Sequence, residues 1–419
     1  VTAPYNNDFP TKLSQDYGAH EHQISVSWVA SGDSSVVVDV YKHNIQGHAF
    51  GRLEARTLQN ILSELVSEGA IDTTMIESKL TTQTGDDRSS NRASIPRQAS
   101  EINLDHLVFP NTETLVGRIL AALDTGKHII LTGPPGTGKT KLAESIAEEC
   151  SNHQTVTATA DWSTFDTIGG YRPGEGGELQ FEPGVFLECF SSGTDSSGQW
   201  LIVDEINRCD IDKAFGSLFT ALTGEEVSLP FKQSGNSIVV DGSPDADPDK
   251  ANENRYVIPE DWRMIATMNT YDKMSLYDLS YAFMRRFAFV TVPAPNASNI
   301  DEQLISEYVD AWDDVESSDE YNNGVAKIWE AVNRSGMRKI GPALVLDILQ
   351  FVAATEGDFT GAVTMYVLPQ FEGLPAKQQV QLVNELINLE HPDLNPQELR
   401  EFAEEYMELT DQDFSKFGG

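Results

Sequence analysis

The sequence predicts an α/β protein: a parallel sheet with crossover helices, followed by a helical lid and preceded by a small α+β module. Three observations carry that expectation. Short apolar runs alternate with helical patterns between residues 101 and 293, as a parallel sheet with crossover helices requires. A glycine-rich run, Gly133 to Thr140, stands between one such strand and a helix, where a backbone can receive phosphate. After Pro293 and Pro295 only helical periodicity remains.

The elements follow in order. Residues 23–41 carry valine and aromatic runs split by Gly32-Asp33-Ser34-Ser35, which reads as a strand pair. Leu58, Ile61, Leu62 and Leu65 fall at helical spacing and Gly69 supplies a stop. Residues 1–81 therefore form the small module, and the polar stretch 82–100 a linker. In the α/β domain, 101–293, the strands are His128–Thr132, Trp200–Asp204, Arg263–Asn269 and Phe287–Val292. Phe215, Leu218, Phe219 and Leu222 predict an amphipathic helix over 212–223, and the acidic stretch 241–254 a mobile loop. The lid, 294–419, takes helices around Leu304–Trp312 and Val325–Val332, from Pro342, and through Leu382–Leu389. A last one starts at Asn395 as N-cap, with Pro396 at the first helical position and Glu398 completing a capping box.

Composition narrows the class. At ~150 residues per domain, 419 residues make two or three domains. A net charge of −36 from 65 acids and 29 bases repels polyanions, which excludes a general nucleic-acid coat or an anionic-membrane binder. Any DNA contact is local; the basic cluster Lys42, His43, His48, Arg52 and Arg56, opposed by Glu54, is either such a contact or chance. The acidity resembles that of proteins from salt-loving cytoplasms, where salt screens the repulsion. Cys150, Cys189 and Cys209 lack CxxC spacing, against a disulfide framework or a zinc site, and His128 reads as packing rather than a ligand. No stretch of about 18 apolar residues and no signal peptide are seen, so a soluble, cytoplasmic protein with no membrane contact is expected. The first residue is Val, which suits a processed product and a fragment alike.

Two motifs carry chemistry. In Gly133-Pro134-Pro135-Gly136-Thr137-Gly138-Lys139-Thr140, backbone N–H groups and the helix N-terminus hold phosphates, Lys139 reaches the β- and γ-phosphates and Thr140 ligates Mg²⁺. The strand Trp200–Asp204 ends in Asp204-Glu205. Asp204 suits the metal shell, and Glu205 polarises the attacking water, since phosphoryl transfer is mostly positioning and charge stabilisation.

Further residues carry a family resemblance over about residues 105–345. Asp204-Glu205-Ile206-Asn207-Arg208 resembles the DEINR run of AAA+ ATPases of the McrB and MoxR groups, relatives of dynein and midasin. Met268-Asn269-Thr270-Tyr271-Asp272 resembles the MNTAD run of McrB, and Met284-Arg285-Arg286-Phe287 its RRRF. Ile168-Gly169-Gly170-Tyr171-Arg172-Pro173 resembles the family's GYRP, at the start of a hairpin inserted in the second core helix. Glu178 to Gly184 is more MoxR-like.

The resemblance implies a P-loop AAA+ core. Asn269 becomes the sensor of the γ-phosphate or lytic water, and Arg286, with Arg285 as companion, the arginine finger. Asp272 is either a hydrolysis or base-selection residue or an ordinary turn residue; Arg208 meets either a neighbouring protomer or a structural salt bridge. Trp162 and Phe165 read as core packing, with partner docking as the alternative. Ala343 stands where relatives often place a second sensing arginine, leaving Arg338 and Lys339 as substitutes, and Met284 replaces the first arginine of RRRF. The implied cofactors are ATP, with GTP open, and Mg²⁺. The implied assembly is a homo-oligomeric ring, usually a hexamer. As a McrB-type restriction motor it takes a McrC-like nuclease and DNA as partners, with residues 1–80 as recognition module. The alternatives are a MoxR-like chaperone acting on a protein with a metal-dependent adhesion domain, and a nucleotide-regulated scaffold with weak turnover.

Overall fold

The computed structural model describes residues 24–30, 36–42 and 95–417, except 175–176, 191–197, 248–249, 272–280, 313–314, 316, 390 and 392. The chain divides into two units, Val1–Ser90 and Asn91–Gly419. In the first, strand β1 (Ile24–Ala30) pairs antiparallel with β2 (Val36–Lys42), in register from Ile24↔Lys42 to Ala30↔Val36. The helix expected around Leu58–Leu65, the linker up to residue 94 and the basic cluster beyond Lys42 lie outside the described residues.

After a 3-10 turn, Ala99–Glu101, the second unit continues with helix α1 (Thr112–Asp124), whose Leu115, Val116, Ile119, Leu120 and Leu123 make one buried stripe. Strand β3 (His128–Gly133), helix α2 (Lys139–Cys150) and strand β4 (His153–Thr157) follow. Next comes a hairpin, β5 (Gly169–Pro173) with β6 (Leu179–Pro183), flanked by the helical turns Thr164–Thr167 and Val185–Glu188. Strand β7 (Trp200–Asp204) leads to a small sheet of β8 (Glu226–Gln233), β9 (Asn236–Asp241) and β10 (Arg255–Val257). Strands β11 (Met264–Asn269) and β12 (Phe287–Thr291) complete the core.

The main sheet is parallel, in the order β12-β3-β11-β7-β4. Every residue of β3 is buried, as expected of a strand covered on both faces. Because all five strands run the same way, the C-terminal ends of β3, β11 and β7 are neighbours on one edge. A crevice at such an edge is where open α/β sheets take ligands.

The lid has its own apolar core around Trp329, Phe359 and Phe371. It comprises α3 (Glu302–Ala311), α4 (Asp319–Arg334), α5 (Pro342–Ala354), a run of α, π and 3-10 turns over Phe359–Phe371, α6 (Ala376–Ile387), α7 (Pro396–Tyr406) and α8 (Asp411–Phe417).

Several sequence expectations need correction. The helix expected over 212–223 is a short α-helix, Ile211–Phe215, followed by 3-10 turns Gly216–Leu218 and Ala221–Thr223. Its apolar face is buried as the spacing requires, but Gly216 weakens helix continuity. Strand β4 escaped because His-Gln-Thr-Val-Thr lies at the sheet edge, without an apolar run. Pro230 hid β8; the structure accommodates it within an irregular stretch of register between Ser228 and Lys232. At the start of the acidic stretch 241–254, Asp241 closes β9, accepts from Ser243 and pairs with Arg255, which also bridges to Glu226; residues 248–249 of the stretch lie outside the described residues. Asn395 caps α7 through the Gln397 and Glu398 N–H groups, without a return bond from Glu398.

Candidate active site

The loop between β3 and α2 is shaped by its glycines. Gly136 and Gly138 take φ of 71° and 80°, the left-handed region that a side chain disfavours and that backbone anion nests use. Lys139, only 5% exposed, donates its ammonium to the Gly133 carbonyl at 3.2 Å and the Pro134 carbonyl at 2.7 Å. Thr137 Oγ1 also donates to the Pro134 carbonyl, at 3.0 Å. A buried cation at the start of a 12-residue helix makes this a strongly anion-seeking place.

Two carboxylates arrive from β7. Asp204 Oδ1 accepts from Thr140 Oγ1 at 2.6 Å and from Thr267 Oγ1 on β11. Thr267 Oγ1 in turn accepts from the Glu205 N–H at 3.0 Å. Glu205 has φ 53° and caps the turn Ile206–Arg208, a left-handed backbone costing a non-glycine residue about 1–2 kcal/mol. The turn brings its carboxylate between two donors: Asn269 Nδ2 on Oε1 at 2.8 Å and Arg208 Nε on Oε2 at 2.8 Å. Of the alternatives for Arg208, the structure shows the salt bridge.

The hydroxyl of Thr140 and the carboxylate of Asp204 are hard oxygen donors in contact, which fits Mg²⁺. Among the described residues no group of three or more His, Cys, Asp or Glu side chains could hold a metal. An ion there would complete its shell from phosphate and water, as Mg²⁺ in nucleotide sites does. When bound it would neutralise charge on the β- and γ-phosphates.

Arg285 and Arg286 lie elsewhere. The Arg286 carbonyl accepts from the His128 N–H, at the start of β3, whereas the phosphate loop leaves its far end. Lys127, Thr223, Arg285 and Arg286 line an open hollow of about 400 Å³ at that opposite edge. The Arg286 guanidinium sits 5.4 Å from the centre of the Phe219 ring, and burial, then the Arg285 charge, lowers its pKa.

Among the other residues singled out, His128 is buried, its Nδ1 accepting from the Met264 N–H at 3.1 Å, and burial pulls its pKa down to about 3. Burial pushes the three free thiols up to about 12. Trp162 is core, but Phe165 is 43% exposed beneath the Arg172 guanidinium. Arg338 donates to the Gln370 carbonyl and Lys339 Nζ to Asn296 Oδ1, so these two cations are engaged away from the loop. Asp272 lies outside the described residues. Sequence reasoning missed Thr267; its signal was strand alternation, which puts residue 267 on the same face of β11 as Asn269. It also missed the hydroxyl of Tyr271, which accepts from the Lys339 N–H at 2.8 Å.

Residues 128–287 match the AAA domain of the dynein-related subfamily. The chain is 32% identical, over 251 residues, to the type IV methyl-directed restriction enzyme EcoKMcrB subunit of Escherichia coli; the match covers 55% of this chain and 50% of that protein. It is 30% identical over 105 residues to midasin of Dictyostelium discoideum, covering 24% of this chain and 2% of midasin. It is 27% identical over 161 residues to a mitochondrial Lon protease homologue of Scheffersomyces stipitis, covering 36% and 14%. The match thus spans half the length of the restriction subunit and much less of the other two.

Proposed function

We propose, from the premise that residues 128–287 are an AAA domain of the dynein-related subfamily, that the chain binds a nucleoside triphosphate with Mg²⁺ and hydrolyses it. The observation that carries this reading is the convergence at one sheet edge of Lys139, the Thr140–Asp204 pair and a Glu205 carboxylate held by Asn269. Lys139 leaves the loop carbonyls for the β- and γ-phosphates. Glu205 takes the proton side of the attacking water, while Asn269 fixes its orientation. Arg286 serves a neighbouring copy, which makes a closed ring, a hexamer as in the family, the working assembly. ATP is the expected nucleotide, with GTP as the other arm of the test.

Within that activity, the chain is the motor subunit of a modification-dependent DNA restriction system, in a cytoplasmic setting. Its similarity to the EcoKMcrB subunit supports this, as the longest stretch among the three relatives compared. Residues 1–81 are its recognition module, 82–100 the linker, 101–293 the nucleotide-binding domain and 294–419 the lid with its C-terminal helices. Remodelling of a protein partner is the second reading, supported by the MoxR-like run from Glu178 to Gly184.

Phosphate release from ATP and GTP, with and without Mg²⁺, tests the activity. Absence of both binding and release overturns it. Co-expression with a McrC-like nuclease, followed by challenge with methylated and unmethylated plasmid, separates the two roles. Methylation-dependent cleavage supports restriction; no cleavage, with turnover stimulated by an adhesion-domain protein instead, supports remodelling.

A further inference from the structure

Three consecutive residues at the end of β11 each bond a different part of the molecule. Asn269 Nδ2 donates to Glu205, the Thr270 N–H donates to the Gly133 carbonyl at 3.1 Å, and the Tyr271 hydroxyl accepts from the Lys339 N–H at 2.8 Å. Lys339 stands three residues before Pro342, which opens α5. The start of α5 returns to the same loop: the Ala343 N–H donates to the Gly136 carbonyl at 3.0 Å. Contact there is close enough that a Cβ on Gly341 would stand 2.6 Å from the Gly136 carbonyl and the Pro135 oxygen. Loop, sensor strand and lid are therefore joined in one hydrogen-bonded circuit.

The circuit contains a switchable bond. The Gly133 carbonyl accepts from both Lys139 Nζ, at 3.2 Å, and the Thr270 N–H. An anion in the loop draws the ammonium away and leaves Thr270 as the remaining donor of that pair, which strengthens its hold. Tyr271 is the next residue, so the change is passed to the lid. The cations nearest the start of α5, Arg338 and Lys339, are bonded elsewhere, to the Gln370 carbonyl and Asn296 Oδ1, and Ala343 has no polar side chain.

We infer that Tyr271 is a positioning residue that transmits the phosphate state of the loop to the lid through the Lys339 N–H. This rests on the reading that the loop binds a nucleoside triphosphate.

The test places donor and acceptor dyes on Thr114→Cys and Glu405→Cys of the full chain; both sites are exposed and the native cysteines are buried. Energy transfer is followed on adding ATPγS or GTPγS, and affinity is measured with the corresponding fluorescent nucleotide. In the parent, triphosphate changes the transfer. Tyr271→Phe, which keeps the ring and loses the acceptor, should bind nucleotide within about twofold of the parent and shift the lid's nucleotide-dependent ratio by about fivefold. Lys339→Ala keeps the N–H and should respond as the parent does. A parental response in Tyr271→Phe overturns the inference, and so does nucleotide affinity weakened more than about tenfold, which would make Tyr271 part of the binding site. A parent that binds neither nucleotide overturns the functional reading itself, and the inference with it.

Discussion

Removing the Arg286 guanidinium tests whether the site is shared between copies. Register sets the distances: Phe287 lies opposite His128 and Thr291 opposite Thr132. Arg286 is thus level with the start of β3, and the phosphate loop leaves its end. At about 3.3 Å per residue the five steps from His128 to Gly133 span roughly 17 Å, beyond the reach of one arginine side chain. Arg286 therefore cannot stabilise phosphate on its own loop. Among the contacts that Arg286→Ala removes are the one over the buried Phe219 ring and a 3.5 Å approach to Thr223, about 1–2 kcal/mol for a partly buried cation–π pair. Nucleotide affinity should stay within about twofold, while turnover falls by ~10³ or more, the usual value of such a finger. Mixing this variant with Lys139→Ala should restore activity, because a copy with an intact loop can then meet a neighbour with an intact finger. In an equimolar random assembly about one interface in four is of that kind, so recovery approaches a quarter of the parental rate. The measurements are phosphate release and native mass spectrometry of the mixed assembly. Mixed assemblies that hydrolyse no faster than either component would refute the reasoning, and equal loss of nucleotide binding in Arg286→Ala would refute the distance argument.

Three further outcomes are expected. Lys139→Ala should lose nucleotide binding, since the loop loses its buried cation, whereas Glu205→Gln should bind and trap nucleotide with turnover down ~10²-fold or more; isothermal titration and phosphate release separate the two. His128, held near a pKa of about 3 against its ordinary 6.5, contributes stability that is present above pH 6.5 and lost as pH falls toward 3. At pH 5 that loss is about 2 kcal/mol, and His128→Asn, which keeps an acceptor for the Met264 N–H, should flatten the stability slope between pH 6.5 and 5 in urea titrations. If the net charge of −36 reflects a saline setting, thermal midpoints should rise between low and molar potassium chloride as repulsion is screened; a level or falling midpoint marks an ordinary acidic protein.

The sheet was legible where strands are buried on both faces. His128–Thr132 and Trp200–Asp204 announce themselves as continuous apolar runs, and the structure places them in β3 and β7. In β4, which is polar at one edge, and in β8, which carries Pro230, that signal is missing, whereas β12 at the other edge keeps the apolar run Phe287-Ala288-Phe289-Val290 and was legible. The lid helices show the same rule from the other side. The starts at Pro342 and Pro396 were visible, but α4 runs from Asp319 to Arg334 and not merely around Val325–Val332, and α6 begins at Ala376 rather than Leu382. Its first turn is polar and capped by Ser318, so apolar spacing alone underestimates it.

The candidate site divides along a similar line. Loop glycines, Lys139 and the paired carboxylates were legible because phosphate chemistry constrains residue type and local spacing. Contacts across strands were not, since they depend on register: Thr267 reaches Asp204 because Ala266 pairs with Val203, one residue before each. The same register places the Asn269 amide on the Glu205 carboxylate. A run such as Met268 to Asp272 therefore states which groups are present, and the sheet decides what each one touches. Tyr271 is the clearest case. In sequence it stands where the resembled run has alanine; in the fold its hydroxyl lies 2.8 Å from the Lys339 N–H, 68 residues away in the chain. A departure at that position is thus better judged by the bond it makes than by the pattern it breaks.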